Sequence, residues 1–249
     1  MSVYQSLLAA SKEQGAGYFV LVDPDKIDGT DLPAFAQQAS EAGVDAFLVG
    51  GSLILDDSFE RCITTLKKHT TIPVVIFPGG VMQVSASADA ILFLSLLSGR
   101  NPEHIIGSQV LAAPVVKKIG LEAISTAYLL VESGQPTSAE FMSNTKPLPR
   151  NKPDIAVAHA LAAEILGFKM IYLEAGSGAQ QSIPEEMIGG IAKKCSVPVI
   201  VGGGITTPEL ARKKVDAGAH FIVTGNVLEK NGNAHLMHEF ADAIHVRKK

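Results

Sequence analysis

The chain has 249 residues, of which 47% are hydrophobic and 18% charged, which suffices for a substantial core and excludes an intrinsically disordered protein. A formal net charge of −4 leaves no basic footprint for nucleic acid, so an anionic ligand must be held by backbone dipoles, a few Lys or Arg side chains, or a metal. Cys62 and Cys195 are too few for a disulfide framework, and no apolar run approaches the ~18–20 residues of a membrane span; a cytoplasmic protein without an integral membrane segment is expected.

Residues 2–15 read as a short amphipathic helix, and Lys12 and Glu13 follow too soon on Leu7–Ala10 for a secretory signal. Tyr18–Val22 is an apolar run rich in aromatic and β-branched residues, predicted as the first strand and ending in Asp23-Pro24-Asp25-Lys26. A helix over Ala34–Glu41 precedes the second strand, Ala46–Val49, which runs into Gly50-Gly51-Ser52. A helix at Phe59–Lys68 follows, with Asp56-Asp57 at its cap, then a third strand at Val74–Phe77 and Pro78-Gly79-Gly80. Ala90–Leu94 is the fourth strand, a helix covers Val110–Lys118, and the fifth strand lies within Thr126–Val131. Glu132–Pro153, rich in Pro, Ser, Thr and Asn, reads as a functional flap.

The same grammar then repeats. Helix Ile155–Leu166 leads to a sixth strand at Met170–Leu173, and helix Glu185–Lys194 to a seventh at Val199–Val201. A helix from Pro208 to about Gly218 precedes the eighth strand, Phe221–Thr224, and a helix from His235 to His245 closes the chain. Eight apolar strands alternating with helices in a chain of this length predict an α/β protein built as a single (β/α)₈ TIM-type barrel over residues 1–249. An open doubly wound sheet would place a glycine fingerprint after the first strand, where this chain has Asp-Pro-Asp-Lys.

Candidate chemistry clusters at the C-terminal ends of strands. Ile171–Ala179 (IYLEAGSGA) couples a strand to one carboxylate, Glu174, and then to the small residues Gly176, Ser177 and Gly178, which let backbone N–H groups approach an anion. Gly202-Gly203-Gly204 and Gly225-Asn226 follow strands seven and eight, where barrels of this class often hold a phosphate. Across the mouth, Asp23 and Ser52 offer one carboxylate and one hydroxyl, a donor set suited to Mg²⁺ completed by the phosphates of a second ligand. The seven histidines form no triad with nearby Asp and Ser, and Asp56-Asp57 lacks the third acid of an aspartate-rich diphosphate motif.

Tyr172–Gly178 (YLEAGSG), Val201–Ile205 (VGGGI), Gly225-Asn226, and Asp23-Pro24 with Ser52 closely resemble the geranylgeranylglyceryl phosphate synthases and their bacterial heptaprenylglyceryl phosphate relatives, in order and spacing along nearly the whole chain. The resemblance implies a barrel modified around its third helix, consistent with the short, Ser/Ala-rich Gly79–Asp89. It implies an Mg²⁺-dependent prenyltransferase that joins sn-glycerol 1-phosphate to a polyprenyl diphosphate, geranylgeranyl first among the donors, through an ether bond. Tyr172, Leu173, Glu174, Ala175, Gly176, Ser177, Gly178, Gly203, Gly204, Gly225 and Asn226 would hold the glycerol phosphate, Glu174 would take the hydroxyl proton, and Asp23 and Ser52 would serve the metal. A homo-oligomer, dimer or hexamer, is expected. Some relatives carry a lysine where this chain has Leu21, which leaves Lys26 and Arg100 as candidate diphosphate contacts. The competing readings are another phosphate-binding barrel enzyme, a phosphosugar isomerase or lyase, and a non-catalytic phosphometabolite-binding protein.

Overall fold

The computed structural model describes residues 1–27, 29, 31–54, 57–229 and 235–246. Eight parallel strands close into a barrel in chain order: β1 (Gly17–Val22), β2 (Ala46–Val49), β3 (Val74–Ile76), β4 (Ala90–Leu96), β5 (Glu122–Leu130), β6 (Met170–Glu174), β7 (Val199–Gly202) and β8 (Phe221–Thr224). Their near-continuous apolar sequences have a simple cause, since both faces of each strand are covered. On β6, Met170 and Tyr172 face the barrel interior while Ile171 and Leu173 face the helices. On β1 and β8, Phe19 and Phe221 stack inside the barrel at 4.7 Å.

Helix α1 (Val3–Gln14) closes the bottom of the barrel. Leu7 packs into the interior, and the backbone N–H groups of Val3 and Tyr4 donate to the two carboxylate oxygens of Glu122 at 2.6 and 3.0 Å. Glu122 thereby satisfies orphan amides of the helix N-terminus from another element. The other helices are α2 (Leu32–Ala42), α3 (Ser58–His69), α4 (Ser108–Ile119), α5 (Ser138–Ser143), α6 (Pro153–Ile165), α7 (Glu185–Ala192), α8 (Pro208–Asp216), α9 (Asn226–Glu229) and α10 (Leu236–Ile244). No helix among the described residues is long and apolar enough to cross a membrane.

Between β3 and β4 no helix forms, as the family resemblance implied. The segment is held flat by Gln83, whose Nε2 donates to the Gly51 carbonyl at 2.8 Å and whose Oε1 accepts from the Gly79 N–H at 3.0 Å. Glycine is required at this junction, because a Cβ on Gly79 would lie 2.1 Å from the Gly51 carbonyl oxygen. The consequence is that Ile91 and Phe93, on the helix-facing side of β4, are left to line an open cavity.

Four local expectations change. β5 begins at Glu122 rather than Thr126, because pairing with β4 extends down to the Ala90–Glu122 register, where the sequence is polar to meet α1. β3 stops at Ile76, and Phe77 turns toward the barrel axis. The flap is not structureless: α5 is capped by Thr137, whose Oγ1 accepts from the Glu140 N–H at 3.3 Å, and Val131 bridges to Leu148. Asp57 occupies the cap position of α3 without a capping bond and pairs instead with Arg61 at 3.5 Å; Asp56 lies outside the described residues.

Candidate active site

A cavity of about 1160 Å³ opens at the C-terminal mouth of the barrel, and three different walls meet in it. The first is built around Glu174. As the last residue of β6 it points inward, is only 6% exposed, and accepts from the Gly176 N–H through Oε1 at 2.6 Å. Burial pushes its carboxyl up to about 7, against the opposing pull of hydrogen bonds from Gly176, Tyr172 and the Ala175 backbone. A carboxyl held near neutrality can take and release a proton.

Beneath Glu174, the Tyr172 ring stacks on Phe77 at 5.1 Å and tilts against Tyr128 at 5.4 Å. Burial keeps both tyrosine hydroxyls neutral, each well above its ordinary range. Phe77 and Tyr128 were not anticipated from the sequence. The available signal was their parity, since both sit near strand C-terminal ends on the inward-facing face.

The pleat sets a correction. Tyr172 and Glu174 point into the cavity, so Leu173 and Ala175, both fully buried, point the other way into the layer between strands and helices. Neither lines the cavity, and their side chains belong to the core rather than to a ligand site.

The remaining residues of this wall converge. Gly176, Ser177, Gly178, Gly203, Gly204, Gly225 and Asn226 all line the cavity, and the Ser177 hydroxyl donates to Asn226 Oδ1 at 3.0 Å, tying the loop after β6 to the loop after β8. Gly203 has φ of +81° and is pressed onto the carboxylate: a Cβ there would lie 2.4 Å from Glu174 Oε1 and 2.7 Å from the Gly176 nitrogen. The glycine therefore seats the carboxylate as well as freeing backbone amides. Gly176, with φ of +101°, is equally tight against the flap, since a Cβ would lie 2.3 Å from Thr137 Cγ2.

The second wall carries Asp23, Lys26, Gly51 and Ser52. Asp23 Oδ2 pairs with Lys26 Nζ at 2.8 Å, and a Cβ on Gly51 would stand 3.0 Å from Asp23 Oδ1, so the carboxylate rests against the turn that bears Ser52. Asp25 is turned away, accepting from the Ser58 hydroxyl at 2.9 Å. Arg100, expected as a diphosphate contact, is exposed with φ of +56° and does not line the cavity. Among the described residues no group of three or more His, Cys, Asp or Glu could hold a metal. One carboxylate beside one hydroxyl fits Mg²⁺ only as a partial shell, the kind that ligand phosphates and water complete.

The third wall is apolar, running over Ile91, Phe93, Leu94 and Leu96 of β4 to Ala112 of α4 and to Phe141 and Met142 of α5. The flap carrying α5 is fastened at both ends, by Thr137 against Gly176 and by Asn101 Nδ2 donating to the Ser143 carbonyl at 3.0 Å. The cavity thus joins a small polar corner to a long apolar wall.

Known proteins resemble this chain along nearly its whole length. The PcrB family model matches residues 9–244. The geranylgeranylglyceryl phosphate synthase of Chitinophaga pinensis is 46% identical over 243 residues, spanning 98% of this chain and 96% of its own length. That of Korarchaeum cryptofilum is 47% identical over 215 residues, spanning 86% and 88%. The crystal structure of (S)-3-O-geranylgeranylglyceryl phosphate synthase from Thermoplasma acidophilum, in complex with its substrate sn-glycerol-1-phosphate, superposes with a TM-score of 0.93 at 34% identity, over 98% of this chain and 99% of the other. Similarity of that extent, with Glu174 and its glycine loops gathered in one corner of a closed barrel, places the chain in the PcrB family.

Proposed function

We propose that this protein is a prenyltransferase that forms an ether bond between sn-glycerol 1-phosphate and a polyprenyl diphosphate, releasing diphosphate. The observation that carries the reading is the carboxyl of Glu174, raised to about 7, between a glycine-built anion corner and an apolar wall. The polar corner takes the glycerol phosphate and the wall takes the prenyl chain. An acceptor hydroxyl oxygen attacks C1 of the donor as the C–O bond to diphosphate breaks; the bonding electrons leave with diphosphate, and the hydroxyl proton passes to the Glu174 carboxylate.

Asp23 and Ser52 would hold Mg²⁺, which when bound offsets the charge of the departing diphosphate. Lys26, paired with Asp23, stands in the same wall as a cation for that group. The reading also carries a homo-oligomer: Val110, Leu111 and Val115 of α4 are exposed apolar side chains that a second copy would bury, and sedimentation velocity reads the state directly.

The test is an assay of sn-glycerol 1-phosphate and its enantiomer against C15, C20 and C35 diphosphates, with and without EDTA. Turnover of sn-glycerol 1-phosphate, abolished by EDTA and restored by Mg²⁺, is expected. Failure with every donor overturns the transferase reading; turnover untouched by EDTA removes the metal from it.

A further inference from the structure

The loop after β6 is irregular from Gly176 to Pro184, and its buried far end is held in an unusual way. The carbonyls of Ser182 and Ile183 are next to each other in the chain, and each accepts from a cation. Arg150 Nη1 donates to the Ser182 carbonyl at 2.5 Å, and Lys214 Nζ, on α8, donates to the Ile183 carbonyl at 2.6 Å. Lys214 is 1% exposed and also donates to Glu185 Oε1, at 2.6 Å, on the first residue of α7. Burying an ammonium is costly unless its donors are used, and buried carbonyls are rarely left unpaired. In the sequence Lys214 is one of two adjacent lysines on an amphipathic helix, and nothing there distinguishes it from a solvated one.

The held end is where two candidate phosphate loops touch. A Cβ on Gly204, whose φ is +67°, would lie 2.9 Å from the Ser182 nitrogen and 3.2 Å from the Ala179 carbonyl oxygen. Gly204, in the loop after β7, therefore rests on the stretch that Arg150 and Lys214 fix from behind. Neither cation lines the cavity, so neither touches a ligand there.

We propose that Arg150 and Lys214 are positioning residues for the acceptor's phosphate: by holding two successive carbonyls they set the backbone course of the loop after β6 and, through Gly204, of the loop after β7. The inference rests on the reading that these loops grip a monophosphate. The donor's wall, built on β1, β2 and β4, is independent of them.

The experiment compares wild type with Arg150→Met and Lys214→Met, titrating each by calorimetry with sn-glycerol 1-phosphate, with inorganic phosphate and with a prenyl diphosphate. Affinity for glycerol phosphate and for inorganic phosphate should fall by about tenfold or more, by analogy with outer groups that orient ligands elsewhere. Donor affinity and kcat at saturating acceptor should stay near wild type, and Arg150→Lys, which keeps a donor, should recover most of the loss. Unchanged acceptor affinity, or equal weakening of both substrates, overturns the proposal. If Lys214→Met does not fold, Arg150→Met decides alone. Since binding is read without turnover, a wild type that binds phosphate but makes no ether would sink the transferase reading and leave this test standing.

Discussion

The two polar sides of the barrel mouth are built by different means. After β6, β7 and β8 the surface is main chain, with Gly176, Gly178, Gly203 and Gly204 all at positive φ and packed so closely that three of the four leave no room for a methyl group. After β1 and β2 the surface is side chain, an Asp23–Lys26 ion pair beside a serine, partly open to solvent. A main-chain grip has fixed geometry and tolerates no added atoms. A side-chain grip can be retuned by exchanging one functional group, so substitutions on the two sides should differ in kind as well as in size.

The largest effect should come from Gly203→Val. Besides standing where a phosphate would approach, a Cβ at this position would lie 2.4 Å from Glu174 Oε1. The carboxylate must move, and a β-branched residue at φ of +81° is strained as well. Losing the base alone costs ~10²–10⁴ in rate, so turnover should fall below about 10⁻⁴ of wild type, with acceptor binding lost and donor binding kept. Calorimetry with each substrate checks this, and near-normal acceptor affinity would contradict a tightly packed corner.

Next in size is Glu174→Gln, which keeps the shape and the Gly176 hydrogen bond but cannot accept the proton. A fall of ~10²–10⁴ in kcat with glycerol phosphate affinity retained is expected. The base works ionised, so wild-type activity should drop as pH falls through about 7, and the variant should lose that limb. Stability runs the opposite way. The folded carboxyl is raised from 4.5 to about 7, so the native state binds more protons and wild type loses stability as pH rises across that window. The Gln variant escapes the loss and should be more stable at pH 8 by up to ~3 kcal/mol, the gap closing near pH 4. Urea denaturation at both pH values measures it; equal stability throughout would mean that the carboxyl titrates normally.

The barrel was legible because strands such as Ala46–Val49 and Phe221–Thr224 are apolar without interruption, which only a doubly covered strand explains. β5 was misplaced at its start because Glu122 and Ser125 are polar, serving the barrel floor rather than its core. In the site, Glu174 and the glycines were legible as residue types at strand ends. The depth of Glu174 was not, because its burial comes from the glycines after β7 and from Tyr172, brought together only when the barrel closes. Leu173 and Ala175 show the reverse: strand alternation alone would have turned them away from Glu174's side, but the family motif carried them along with their neighbours.

On the side-chain wall, Asp23→Asn tests the proposed Mg²⁺. It removes the carboxylate charge beside Ser52 and releases Lys26 from its ion pair, so the Mg²⁺ concentration for half-maximal activity should rise while acceptor affinity stays within about twofold, as expected when two sites share no partners. An unchanged Mg²⁺ titration would remove Asp23 from the proposed metal site.

The smallest expected effect divides the two roles a glycine can have on the main-chain side. Gly178 has φ of +72° but nothing within 4 Å of where a Cβ would stand, unlike Gly203. In the free protein Gly178→Ala therefore meets no neighbour and carries only the cost of the left-handed backbone, about 1–2 kcal/mol of stability. If phosphate approaches the open side of this loop, the methyl group occupies that space and acceptor affinity falls by more than the strain explains. If the residue only turns the chain, stability falls and affinity does not. Measuring unfolding and glycerol phosphate binding on the same variant separates the outcomes, and intact affinity would restrict the phosphate to Gly176, Gly203, Gly204 and the Gly225-Asn226 turn.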